Sequence, residues 1–145
     1  MKGTETHIDE PHVRSFISAL PFIQELSIAI ISVVPGQVVI ELPFDERLSG
    51  PPGQFPASIV GLAGDVAAVA SCFSLLPNGW ALATIDFTIK MTGIAKGDKL
   101  RARGRVLQAG RTNSVGAAEV FIVSANREML CGSVLATTRN FQVTK

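Results

Sequence analysis

The chain has 145 residues, of which 47% are hydrophobic and 17% charged, enough apolar surface for one self-supporting core and too much for a disordered segment. A formal net charge of +1 provides no strong field for nucleic acid or anionic lipid, so neither partner is expected. So little charge suggests instead that further copies of the chain cover part of the apolar surface, since monomers rarely expose large apolar patches.

Cys72 and Cys131 are the only cysteines, and His7 and His12 the only histidines. They form neither a disulfide framework nor a metal-ligand spacing, so no metal and no cofactor is expected. Residues 1–10 are polar and acidic, without the basic-then-apolar pattern of a secretory leader. A reduced, cytoplasmic setting is expected. The whole chain, 1–145, reads as a single domain, with residues 1–9 a flexible leader.

Pro11 suits a first helical turn, and Val13, Phe16, Ile17 and Leu20 recur at helical spacing. This predicts a short amphipathic helix over 11–19, stopped by Pro21. Residues 26–34, rich in Ile and Val, read as a strand, and Pro35-Gly36 as the turn into a second strand over 37–44. Residues 45–56 are a Gly- and Pro-dense loop. A long apolar helix starts at Pro56 or Ala57 and runs to about 75, ended by Pro77-Asn78-Gly79. It approaches the length of a membrane span, but Asp65 sits near its middle, which lipid tolerates poorly. A helix buried inside a protein fold is the better reading.

Beyond Gly79 the period changes to two. Residues 83–91 alternate apolar and polar without a miss, which predicts a half-buried antiparallel strand. Further strands are expected over 100–108, 115–123 and 129–141. Helix, two strands, long helix, four strands: this order is α+β. The all-round apolar helix must then be wrapped by an antiparallel six-stranded sheet.

Asp65 is the most informative residue. Gly61, Leu62, Ala63, Gly64, Val66, Ala67 and Ala68 surround it in sequence. A carboxylate there must be hydrogen-bonded or take a raised pKa, which suits a general base or a nucleophile. The alternatives are a solvent-facing helix residue, or a structural pair with a sheet arginine. Gly61, Gly64 and Ala68 form a small-residue stripe that fits tight packing on the sheet, or the approach of a slender ligand. The helix start at Pro56-Ala57-Ser58 offers unpaired N–H groups and the positive dipole end, a place for an oxyanion. Residues 57 and 65 lie about 12 Å apart along one helix, so a single substrate carbon reaches both only if a second chain supplies one of them. Arg101, Arg103 and Arg105 alternate along one strand, as a solvated face or as a landing place for phosphates. No serine elbow, cysteine–histidine pair, phosphate loop or dinucleotide fingerprint is present.

The order of elements and the stretch from Gly53 to Asp65 resemble the hotdog-fold acyl-CoA thioesterases of the phenylacetate-degradation type. That family shows a glycine, two residues, then histidine–glycine–glycine, with a catalytic Asp or Glu nine residues after the histidine. Here the frame reads Gly53-Gln54-Phe55-Pro56-Ala57-Ser58, and Asp65 falls nine after Pro56. Thr84-Ile85-Asp86-Phe87 is similar to the family's threonine–x–aspartate strand, and Gly97-Asp98 and Gly110-Arg111 to its later turns. Pro56 stands in place of the motif histidine, Ala57 and Ser58 in place of its glycines, and Gly50 where an Asn or Gln is frequent.

The resemblance implies the hotdog fold and an acyl-CoA substrate held in a homo-oligomer, a dimer or a dimer of dimers. Asp65 would be the catalytic base or nucleophile, the Ala57 N–H the oxyanion donor, and Thr84 a hydroxyl near the attacking water. Gln54, Pro56 and Ser58 would line the substrate site, and Arg111 would meet the CoA phosphates. The alternative is a binding protein for acyl-CoA or fatty-acyl groups with weak or no catalysis. A hydratase is disfavoured, because that chemistry uses a histidine in the site and both histidines here precede the core.

Overall fold

The computed structural model describes residues 7–143. Helices α1 (Glu10–Ser18) and α2 (Pro21–Glu25) precede strands β1 (Ala29–Val34) and β2 (Gln37–Pro43). The long helix α3 (Ala57–Phe73) follows, then β3 (Trp80–Met91), β4 (Lys99–Ala109), β5 (Asn113–Ser124) and β6 (Arg127–Gln142). The strands form one antiparallel six-stranded sheet in the order β1-β2-β4-β5-β6-β3. Every expected strand is present, and the sheet packs along the length of α3.

Differences from the sequence reading are local. Residues 7–9 are not a loose leader: the Ile8 N–H donates to the Leu76 carbonyl at 3.0 Å, Ile8 is buried, and Asp9 caps α1 by accepting the His12 N–H at 3.0 Å. The rest of the expected leader, residues 1–6, lies outside the described residues. Pro21 ends the reach of α1 but also opens α2, as proline does at a first helical position. Leu26, expected in β1, instead caps α2, and Ser27 takes a left-handed φ of 56°. Gly36, at φ 81°, makes the β1–β2 turn as expected.

The sheet holds α3 close, and small residues are the reason. A Cβ on Gly64 would stand 2.3 Å from Val134 Cγ2, and one on Gly104 would stand 2.1 Å from the Ala67 carbonyl oxygen. The small-residue stripe is therefore packing. Ser71 and Ser74 fasten the same contact. Ser71 Oγ accepts the Val38 N–H at 3.0 Å and donates to the Ala67 carbonyl at 2.7 Å, while Ser74 Oγ accepts the Gly36 N–H at 2.8 Å. Both cysteines are free and buried, and burial pushes their thiols up to about 11. No described helix is long and apolar enough to cross a membrane.

Candidate active site

Helix α3 buries Val60, Gly64, Ala67, Ala68 and Ser71 on the sheet. Ser58, Leu62, Asp65 and Val69 recur along its opposite side and stay exposed or half-buried. Helices α1 and α2 cover part of that side. The one charged residue of the apolar helix, Asp65, thus points away from the sheet, yet not into open water.

Thr84 meets it from β3. Its hydroxyl donates to Asp65 Oδ1 at 3.0 Å. The pairing of β3 with β6 explains how. Thr84 pairs with Thr138 and Asp86 with Thr137, leaving Ile85 as a bulge. A bulge inserts one residue and reverses the phase of the side chains beyond it. Leu82 and Thr84 therefore face α3 before the bulge, and Phe87 and Ile89 face it afterwards, against Gly61. An unbroken alternation would put Thr84 and the odd-numbered apolar residues on opposite faces.

Burial pushes the Asp65 carboxyl above the ordinary aspartate value of 3.8, and the Thr84 hydrogen bond partly opposes the rise. No Lys or Arg pairs with Asp65 among the described residues. The sheet arginines are engaged on the face away from α3. Arg101 bridges Glu41 and Glu128, Arg103 binds Glu128 at 2.8 Å, and Arg105 binds Glu119 at 2.6 Å. This strand is a solvated face of paired charges.

Two chambers meet at Asp65, Val66 and Phe22. One, of about 200 Å³, lies between α1–α2, α3 and the start of β3. The other, of about 350 Å³, follows α3 toward its N-terminus and is lined by Ser58, Leu62 and Phe87. Asp65 therefore borders both chambers, with Thr84 in the first and Ser58 in the second. Ala57 borders neither in the same chain. It is exposed at the helix start, where the Ala57 and Ser58 N–H groups find no acceptor among the described residues. Pro56 caps α3 through its carbonyl, which accepts the Ile59 and Val60 N–H groups at 3.0 and 3.1 Å. Gln54 sits in the preceding loop, bridged to Lys96. Neither Pro56 nor Gln54 lines either chamber.

Arg111 is elsewhere. It borders a cavity of about 370 Å³ at the other end of α3, with Trp80, Cys72 and Ser114. Cys72 lies two turns beyond Asp65, roughly 10 Å along the helix. One chain thus brings together Asp65 and Thr84, places Ser58 roughly 10 Å along the helix in the wall of the second chamber, and keeps Ala57, Gln54, Pro56 and Arg111 apart from them.

Sequence reasoning missed Phe16, Leu20, Phe22 and Phe87 as walls of the groove. The helical spacing of Phe16 and Leu20 marked an apolar face but not what it covers. Phe22 follows a proline read as a stop. Among the described residues, no cluster of His, Cys, Asp and Glu is placed to hold a metal ion.

No protein-family model matches the chain, and no curated protein matches it by sequence. In three dimensions it is similar to a thioesterase family protein from Silicibacter pomeroyi, with 27% identity, a TM-score of 0.86, and 90% of this chain and 96% of that one covered. It is also similar to a thioesterase from Haemophilus influenzae, with 14% identity, a TM-score of 0.82, and 97% and 96% covered. A phenylacetic acid degradation-related protein from Ralstonia eutropha shows 18% identity and a TM-score of 0.74, with 88% and 98% covered. A six-stranded antiparallel sheet around one long helix, shared with these neighbours, gives the chain the α+β hotdog fold of thioesterase-superfamily proteins.

Proposed function

We propose that this protein is an acyl-CoA thioesterase whose site is completed by a second copy of the chain. The observation that carries this reading is Asp65: a half-buried carboxyl without a cationic partner among the described residues, raised in pKa, hydrogen-bonded to Thr84 and bordering an apolar groove. These conditions suit a base working near neutral pH. The hotdog neighbours that carry the name thioesterase support the same reaction class.

In the general-base route, Asp65 takes a proton from water as the water oxygen bonds to the thioester carbon. The carbonyl electron pair moves onto its oxygen, which accepts the Ala57 N–H of the facing copy. Collapse of that intermediate breaks the carbon–sulfur bond. The CoA thiolate leaves with the proton from Asp65, and the free acid remains. In the nucleophilic route, the Asp65 carboxylate attacks the thioester carbon and the carbon–sulfur bond breaks, releasing CoA thiolate. Water then cleaves the mixed anhydride, restoring the Asp65 carboxylate and leaving the free acid and a proton for the thiolate. Thr84 orients the carboxylate in both. The α3 N-terminus supplies an oxyanion donor through the backbone, so Ala57 in place of glycine keeps that function.

The copies form a dimer or a dimer of dimers, with the loop bearing Gln54 and Pro56 of one copy and Arg111 of the facing copy serving the CoA end of the substrate. Two unpaired thiols fit a cytoplasmic protein. A second reading, an acyl-CoA or fatty-acyl binding protein, is favoured by Pro56 at the motif-histidine position and Gly50 at the Asn/Gln position. A hydrolysis screen over short, long and aromatic acyl-CoAs separates the two, with Asp65→Asn beside wild type. Hydrolysis lost by about 10²–10⁴-fold in the variant supports the enzyme. Tight binding without turnover supports the carrier, and equal turnover in both proteins removes Asp65 from the mechanism.

A further inference from the structure

Resting on the proposed thioester site, we infer that the chamber beneath α1 and α2 holds the acyl group and limits it to about six to eight carbons. The chamber is bounded by Phe16, Leu20, Val66, Val69 and Leu82, and among the described residues its only polar side chains are Asp65 and Thr84. Those two lie 3.0 Å apart, so the polarity is gathered at one spot. An acyl thioester has the same pattern, one polar carbonyl on an apolar tail. With the carbonyl carbon beside Asp65, the tail has the chamber to fill.

The size follows from the volume. The chamber measures about 200 Å³. A dry apolar cavity of about 150 Å³ accepts benzene, and a methylene occupies about the share of liquid volume that a water molecule does, roughly 30 Å³. About seven carbons fill the space. The neighbouring chamber serves the acyl tail less well, because its wall includes the exposed Ser58 and Phe87. Ser58 also leads toward the helix N-terminus. That side suits the thioester sulfur and the rest of CoA.

Leu20 and Val69 then set the length. Leu20 is half-buried at the junction of α1 and α2, and Val69 lies one turn beyond Asp65 on α3. Leu20→Ala removes three carbons from the wall, room for about two to three more methylenes. Val69→Phe fills the chamber and shortens the accepted tail.

The test is calorimetric binding of S-alkyl-CoA thioethers from S-butyl to S-hexadecyl, alongside kcat/KM for the matching acyl-CoA thioesters. Melting curves establish that each variant is folded. In wild type, affinity rises about fourfold per methylene up to six to eight carbons and then stops rising. The break moves to longer chains in Leu20→Ala and to shorter ones in Val69→Phe. Affinity that climbs without a break to sixteen carbons, ignores length, or keeps its break in both folded variants overturns the inference. Thioethers that bind with the expected break while no thioester turns over uphold the chamber and overturn the hydrolase. Turnover without a length break does the reverse, and neither binding nor turnover overturns both.

Discussion

Replacing Gly104 with alanine puts a methyl carbon where α3 already lies. The new Cβ would stand 2.1 Å from the Ala67 carbonyl oxygen, 2.4 Å from its carbon and 2.7 Å from Ser71 Oγ. Two of these atoms belong to helix backbone, so no rotamer change relieves them. A carbon–oxygen contact needs about 3.3 Å, and α3 must retreat from β4 by roughly 1 Å. Overpacking of this kind costs about 1–3 kcal/mol. The retreat also stretches the 3.0 Å hydrogen bond from the Val38 N–H to Ser71 Oγ, worth about 1 kcal/mol more. Alanine returns about 0.5–1 kcal/mol of backbone entropy in a strand. The expected net loss is about 2–3 kcal/mol, a fall in Tm of roughly 5–10 °C. Because Asp65 is two residues before Ala67, the same shift disturbs its contact with Thr84, and activity falls even where the variant is folded. Thermal melts and urea denaturation of wild type and variant measure the effect. A Tm equal to or above that of wild type would refute the close approach of α3 to β4.

Asp65→Asn removes a carboxyl whose folded pKa is raised, so its charged form is disfavoured by folding. Its stability contribution is present below the unfolded value and lost as pH rises through the folded one. The variant is therefore expected to gain in Tm over wild type at pH 7 and to lose that gain in acid, as melts at both pH values will show. Glu128 has the opposite sign: hydrogen bonds from Arg103 and then Arg101 hold its pKa down, from 4.5 to about 2. Its contribution is present above 4.5 and lost as pH falls toward 2, so Glu128→Gln should flatten acid denaturation in that window. Ser71→Ala leaves the buried Val38 N–H without its acceptor, and chemical denaturation should register a loss of about 1–3 kcal/mol. Sedimentation equilibrium should give an even-numbered assembly, and a monomer at working concentration would leave Asp65 without a facing helix end.

The fold was legible because its signals are long and periodic. The alternation over 83–91, the turn pairs, and an apolar helix interrupted by one acid left few other arrangements. Element ends were less so. Leu26 looked like the start of β1 because it is apolar, yet it closes α2, whose five residues are too few for a periodic signal. The bulge at Ile85 was invisible because both sides of it keep the alternation of residue types, and only pairing with β6 reveals the change of face. That change decides whether Thr84 reaches Asp65. Asp65 itself stood out, since a carboxylate inside such a helix needs a reason. The groove's wall did not, because Phe16 and Phe22 come from segments far away in sequence and tertiary packing alone brings them over α3.

The pH dependence of kcat/KM for a medium-chain acyl-CoA bears most directly on Asp65 as the reacting carboxyl. The expected profile has an acid limb with an apparent pKa above 3.8. It should move to higher pH in Thr84→Val, which loses the hydrogen bond that favours the charged form, and vanish with the activity in Asp65→Asn. A limb that stays in place in Thr84→Val and persists at full rate in Asp65→Asn would mean that another group carries the reaction.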